Sequence, residues 1–220
     1  MVQERKLRVS RTARYYTLGP APGKAKRVWF VCHGYGQLAS HFIKHFDCLA
    51  DDQTLIVAPE GLSRFYLDGF SGRIGSSWMT SEARETEIQD YLAYLDALSD
   101  AVLPGEAKSG TEVFMLGFSQ GAATVSRWLA HGNVQASRLI LWAGLLPPEL
   151  PTADTVARFR RAGVVLVYGT EDELARPELL EKQVQSLRHH AIPHTRIEFS
   201  GGHHLDPEVL ARLPSISFDK

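Results

Sequence analysis

The chain has 220 residues, 44% hydrophobic and 22% charged, enough to bury a sizeable core and ordinary for one globular domain spanning 1–220. A formal net charge of −1, with acids and bases interspersed, leaves no basic footprint for nucleic acid. No apolar run approaches the roughly 18 residues of a membrane span; the longest, "LILWAGLL", stops at Pro147-Pro148.

The first residues, "MVQERKLRVSR", are charged and lack the apolar stretch of a secretion signal. Cys32 and Cys48 are too few for a disulfide framework and both lie in apolar contexts, so they read as free buried thiols. The expected compartment is the cytoplasm. The sequence specifies no oligomeric state.

In chain order, "KLRVSRTARYYTLG" (Lys6 to Gly19) has alternating character and suggests an antiparallel edge. "RVWFVCHG" (Arg27 to Gly34) reads as a strand ending in glycine, and "HFIKHFDCLAD" as a helix capped by Ser40. "TLIVAPEG" is the next strand. The segment from Ser63 to Thr80 looks irregular, and loops of that length are usually functional or disordered. From Glu82 to Leu98, Ile88, Tyr91, Leu92, Leu95 and Leu98 fall on one helical face. "TEVFMLGF" is a strand and "QGAATVSRWLAHG" a helix closed by Gly132. "RLILWAG" and "VVLVYGT" are strands, "RPELLEKQVQSLRHH" a helix, and "TRIEFS" and "DPEVLARL" a last strand and helix.

Continuous apolar strands without clean alternation suggest a sheet covered on both faces. Their alternation with longer helices argues for parallel βαβ units. The expected fold is a doubly wound α/β domain, binding its ligands at the carboxyl ends of the strands.

Gly117-Phe118-Ser119-Gln120-Gly121 matches G-x-S-x-G, a pattern that on the order of one chain in ten of this size holds by chance. Its context is more telling, because an apolar strand precedes it and a helix follows, as a nucleophile elbow requires. Small residues on both sides let strand and helix approach, and Ser119 Oγ would project above the sheet. The alternative is a glycine-bounded turn with Ser119 as helix cap.

A serine nucleophile needs a base, and the base an orienting acid, in the chain order Ser, Asp or Glu, His. Downstream of Ser119, "VVLVYGTEDELARP" puts Glu171, Asp172 and Glu173 past one strand end, and "IEFSGGHHLDP" puts His203 and His204 past the next. Asp206 followed by Pro207 makes a good start for the last helix, with Leu205 and Leu210 as a hydrophobic staple. That register favours His203 as the inward-facing imidazole. An oxyanion hole would take one N–H from Gln120 and a second from "CHGYGQ", where Tyr35 is the best placed. His33, at a strand end before the serine, reads as a structural residue holding that loop.

Together "GFSQGA", "HGYGQ", "GSSWMT", "GTED" and "GGHH" resemble the phospholipase/carboxylesterase family, which includes the acyl-protein thioesterases, over about Val28 to Leu210. The resemblance implies an α/β-hydrolase fold with a mostly parallel sheet, helices on both faces and no large cap domain. It implies hydrolysis of small-molecule carboxylic esters or thioesters without cofactor or metal. It supports Ser119, Asp172 and His203 as triad and Tyr35 and Gln120 as oxyanion donors. It also implies that Trp78 lines the acyl side of the cleft, although the residue pattern alone favours a core aromatic. Leu145 and Leu146 would add to the apolar wall. Gln37, where relatives often carry a small acid or amide, and His204, where many carry glutamate, depart from the pattern.

Carboxylesterase, lysophospholipase and protein thioesterase differ by pocket shape. A non-catalytic binding protein on the same fold would show a broken triad or elbow, and neither is visible. His41 and His45 have an i, i+4 spacing but no glutamate for H-E-x-x-H chemistry, so no metal site is expected there.

Overall fold

Successive side chains of a strand face opposite sides of its sheet, and in this protein both sides are buried. The computed structural model describes residues 1–105 and 110–218. Its main sheet has seven strands in the order β1-β3-β2-β6-β7-β8-β9. They are β1 (Tyr15–Leu18), β2 (Arg27–Cys32), β3 (Thr54–Pro59), β6 (Glu112–Phe118), β7 (Arg138–Trp142), β8 (Val164–Gly169) and β9 (His194–Phe199). All pair in parallel except β1, which runs antiparallel to β3 at one edge. The alternating amino-terminal segment thus supplies an edge strand, but only its last residues pair.

The period of two sorts the core. Phe30, Val57, Met115, Leu141 and Leu166 face one layer, and Trp29, Ile56, Leu116, Ile140 and Val165 the other. Over the first face lie α2 (Arg84–Val102), α3 (Gln120–His131), α4 (Val156–Ala162) and α5 (Pro177–His189), through such residues as Tyr91, Trp128, Phe159 and Leu187. The second face is covered by α1 (Ala39–Phe42), the 3-10 stretch Ile43–Leu49 that continues it, and α6 (Pro207–Arg212).

Four local expectations need correction. Ser40 caps nothing: α1 starts at Ala39, after Leu38, without a side-chain cap. Most of the following segment winds as 3-10 helix because Ile43, Phe46 and Leu49, all buried, recur every third residue. That winding leaves Cys48 exposed, whereas Cys32 is buried as expected. The segment 63–80 is not irregular: β4 (Ser63–Tyr66) and β5 (Ile74–Ser77) pair as an antiparallel hairpin. Glu60, at the end of β3, accepts from Arg14 Nε at 3.0 Å and Arg64 Nη1 at 3.2 Å, tying the sheet edge to the hairpin.

Candidate active site

β6 ends at Phe118 and α3 begins at Gln120, so Ser119 alone makes the turn, at φ 53° and ψ −116°. A non-glycine residue at positive φ is strained and persists only where its surroundings hold it. Here Ser119 N–H donates to the Trp142 carbonyl at 2.8 Å, and the Ser119 carbonyl accepts from Ala122 N–H at 3.0 Å. The flanking glycines have no space for a side chain. A Cβ on Gly117 would lie 2.2 Å from the Gly121 carbonyl oxygen, and one on Gly121 would lie 2.1 Å from that of Cys32. The Ser119 side chain makes no cap bond to α3, which removes the helix-cap alternative.

The loops after β8 and β9 bring Asp172 and His203 together. His203 Nδ1 donates to Asp172 Oδ2 at 2.8 Å, while Oδ1 accepts from Leu174 N–H at 2.9 Å. The carboxylate is only 1% exposed and the imidazole 27%. Glu171 and Glu173 are exposed. With Nδ1–H engaged, His203 Nε2 is the nitrogen left to accept a proton. Gly169 permits this meeting, since a Cβ there would lie 2.1 Å from the Gly201 carbonyl oxygen. Asp206 caps α6 by accepting from Val209 N–H at 2.9 Å, and Leu205 and Leu210 are buried in the same core layer. The His203 ring lies against Phe118, the neighbour of Ser119, with centroids 4.9 Å apart. No hydrogen bond joins His203 to Ser119 Oγ among the described residues.

On the other side of Ser119 lies the loop after β2. Gly34 N–H donates to Gln37 Oε1 at 2.8 Å, Gly36 N–H to the Ser76 carbonyl at 2.9 Å, and Gln37 N–H to the Gly34 carbonyl at 3.2 Å. Among these amides Tyr35 N–H has no partner within the described residues. Gln120 is the first residue of α3, where N–H groups lack intrahelical acceptors. His33 is a buried brace. Its Nδ1–H donates to the Gly34 carbonyl at 2.7 Å and Nε2 accepts from Gly61 N–H at 3.0 Å. Burial lowers its pKa to about 4, so it is neutral near pH 7.

Trp78 sits elsewhere than its expected role requires. It is 2% exposed, stacked on His33 with centroids 5.1 Å apart, and its indole N–H donates to the His33 carbonyl at 2.9 Å. It supports the loop from within the core, and its small remaining edge lines a recess of about 760 Å³ with Leu62, Tyr94 and the amino-terminal segment. Leu145 lines a cavity of about 550 Å³ with Leu174, Leu179 and Leu180, between α5 and the ends of β7 and β8. Leu146 is half-buried against the core, and its N–H donates to Gln183 Oε1 at 3.1 Å. Leu145 and Asp172 both line the cavity, and Gly144 lies against Ser119, a Cβ there falling 2.6 Å from the Ser119 carbonyl oxygen.

Three amide side chains, Gln37, Gln120 and Gln183, do much of the positioning. Gln37 closes the loop through Gly34, and Gln183 holds Leu146. Gln120 Nε2 donates to the Met79 carbonyl at 2.8 Å while its Oε1 accepts from Trp78 N–H at 3.1 Å. A polar residue directly after the serine, in otherwise apolar surroundings, was the available signal for Gln120. Gln37 therefore departs from the family pattern in a way that closes the loop. His204 points away, its ring edge against Phe199 at 5.4 Å.

The family model for phospholipases/carboxylesterases matches residues 21–215. The chain belongs to the phospholipase/carboxylesterase family. Membership makes it a carboxylic ester hydrolase on the α/β-hydrolase fold. Structures sharing that fold include acyl-protein thioesterase 2 from Zea mays, 19% identical with a TM-score of 0.69, covering 93% of this chain and 99% of that one. A phospholipase/carboxylesterase from Dyadobacter fermentans is 18% identical, with a TM-score of 0.66 over 94% of this chain and 96% of that one. The Bacillus cereus carboxylesterase is 13% identical, with a TM-score of 0.64 over 92% of each chain. A search of curated protein sequences returns no match. No helix among the described residues is long and apolar enough to cross a membrane.

Proposed function

We propose that this family member hydrolyses small-molecule carboxylic esters or thioesters through a Ser119–His203–Asp172 triad and an acyl-enzyme. The observation that carries the reading is the buried Asp172 carboxylate bonded to His203 Nδ1, with the ring delivered against the residue preceding Ser119. In this mechanism Ser119 Oγ attacks the carbonyl carbon while its proton passes to His203 Nε2. The Tyr35 and Gln120 N–H groups hold the oxyanion, and the alcohol or thiol leaves with the proton from His203. Water, deprotonated by His203, then attacks the acyl-enzyme and releases the acid, restoring Ser119. Asp172 orients the imidazole and stabilises its charged form. A Ser119–His203 hydrogen bond would form when substrate fills the cleft, since catalytic hydrogen bonds are commonly long in the free enzyme and tighten in the complex.

The cavity beside Leu145 and Leu174 fits a short or medium acyl chain, with Trp78 acting through the loop it supports. Lysophospholipid and protein thioester substrates would use the same groups. Two unpaired thiols agree with the reducing conditions of the cytoplasm. A fluorophosphonate probe should label the protein and not Ser119→Ala, whose melting temperature should be unchanged. Labelling that survives in the variant would move the nucleophile elsewhere, and a wild-type protein that neither labels nor turns over esters would be a binding protein. Acyl esters and thioesters of increasing chain length should show an optimum below long-chain triacylglycerol.

A further inference from the structure

A second recess, of about 300 Å³, lies on the outer side of the oxyanion loop, between Gly36 and Gln37, α1 and the β4–β5 hairpin. Leu38, Leu67 and Ile74 supply apolar lining. The ionisable side chains lining it are His41 and His45, one helical turn apart, and Arg73 from the hairpin. No acidic side chain lines it among the described residues. Arg73 pairs with Asp68 at 3.3 Å, but those side chains are 79% and 69% exposed, so a ligand anion replaces that contact at small cost. His45 meets the Phe42 ring at 6.3 Å, and neither imidazole has a hydrogen-bond partner among the described residues. Partial burial lowers the pKa of His45, which keeps the ring a neutral donor near pH 7.

The position of the recess assigns it a side of the reaction. Phe42 lines it and lies 6.2 Å from Phe118, which in turn lies 4.9 Å from His203. The recess, α1 and the loop carrying His203 are therefore on one face of the sheet, and the cavity beside Leu145 and α5 on the other. A leaving group takes its proton from the base, so the part of the substrate beyond the scissile oxygen or sulfur must lie toward His203. The acyl chain then extends to the opposite side.

We propose that this recess is the leaving-group subsite, selecting esters or thioesters whose alcohol or thiol part carries a carboxylate or phosphate. The inference rests on the Ser119–His203–Asp172 reading for its direction. Its ligand chemistry rests on the three donors, with Asp68, the acid that pairs with Arg73, outside the lining. The apolar lining takes the carbon skeleton that separates the anion from the reacting atom.

The test compares butyrate esters of three phenols: methyl 4-hydroxybenzoate, 4-hydroxybenzoate and 4-hydroxyphenyl phosphate. Ratios among these substrates are compared between proteins, so intrinsic reactivity cancels. Relative to the neutral ester, the preferred anionic ester should lose about tenfold in kcat/KM, mainly through KM, in Arg73→Gln and in His41→Gln/His45→Gln. The neutral ester should stay within about twofold in both variants. Unchanged ratios would overturn the proposal, and the two anionic esters separate a carboxylate site from a phosphate site. Binding of 4-hydroxybenzoate and 4-hydroxyphenyl phosphate to Ser119→Ala, followed by calorimetry, gives a readout independent of turnover. Binding lost in the recess variants supports the site even if Ser119 is not the nucleophile. No binding of either anion, or binding the variants leave intact, overturns it.

Discussion

Trp142 donates its indole N–H to the carbonyl oxygen of His204 at 2.9 Å, so the end of β7 holds the loop that carries the two adjacent histidines. In the loop so held, His203 turns toward Asp172 and His204 toward Phe199. His203→Asn should therefore lower kcat/KM on an activated ester by about three orders of magnitude, the loss expected when a triad is deprived of its base. His204→Asn should stay within roughly tenfold. The reverse pattern would transfer the role to His204.

Asp172 is the buried acid of its loop, while Glu171 and Glu173 face solvent. Asp172→Asn should reduce kcat by roughly 10³–10⁴, because an amide offers His203 the wrong hydrogen-bond pattern and no charge. Glu173→Gln should leave kcat nearly unchanged. A large loss in Glu173→Gln with none in Asp172→Asn would reassign the orienting acid.

Gln37 holds the Gly34 amide and thereby the plane of the next peptide, whose N–H is that of Tyr35. Removing an oxyanion donor outright costs about 10²–10³ in kcat, and loosening its support should cost less, about tenfold. Gln37→Ala should show that loss in kcat with KM for a neutral ester within about twofold. A change confined to KM would mean that the side chain acts on binding and not on the loop.

His33 links stability to pH. Its folded pKa, lowered by burial to about 4, lies below the ordinary 6.5 of the unfolded chain. Between those values the unfolded state binds a proton that the folded state refuses, so stability is complete above about pH 6.5 and falls as pH drops toward 4. The size is on the order of 3 kcal/mol. Urea unfolding of the wild type should lose stability between pH 7 and 5. His33→Gln, less stable at pH 7, should lose less over the same interval. Identical slopes in both proteins would show that His33 titrates normally.

Much of this architecture is legible in the residues because the sheet is buried on both sides. Runs such as "VVLVY", short, β-branched and bounded by glycine, read as strands covered twice, and the order of strands and helices then places Ser119, Asp172 and His203 at one end. What was not legible depends on partners distant in sequence. Trp78 is drawn inward by His33 and by Tyr91, whose ring it meets at 6.2 Å; the residue pattern favours a core aromatic there but does not announce these partners. The β4–β5 hairpin is disguised by glycines, and its pairing is reinforced by the bridge from Ser76 to Gln37. The segment after Phe42 has a three-residue spacing that separates 3-10 from α-helix only once the buried face is known.

That bridge has a consequence for how such a protein diverges. The hairpin docks on the oxyanion loop through main-chain bonds, Gly36 N–H to the Ser76 carbonyl at 2.9 Å and Ser76 N–H to the Gln37 carbonyl at 3.1 Å. Steric demands at the contact fall on Gly75, where a Cβ would lie 2.4 Å from the Gly36 carbonyl oxygen, and on Gly36, which sits at φ 74° with Leu67 3.2 Å from where its Cβ would be. Exposed side chains at the tip, such as Phe70 and Arg73, can therefore vary while this main-chain docking persists, whereas Gly69 and Gly72, at φ 76° and 88°, favour glycine. On the proposed reading of the recess, substrate preference and chemical competence are separately heritable in this scaffold, so selection can explore new leaving groups without risking the ability to cleave.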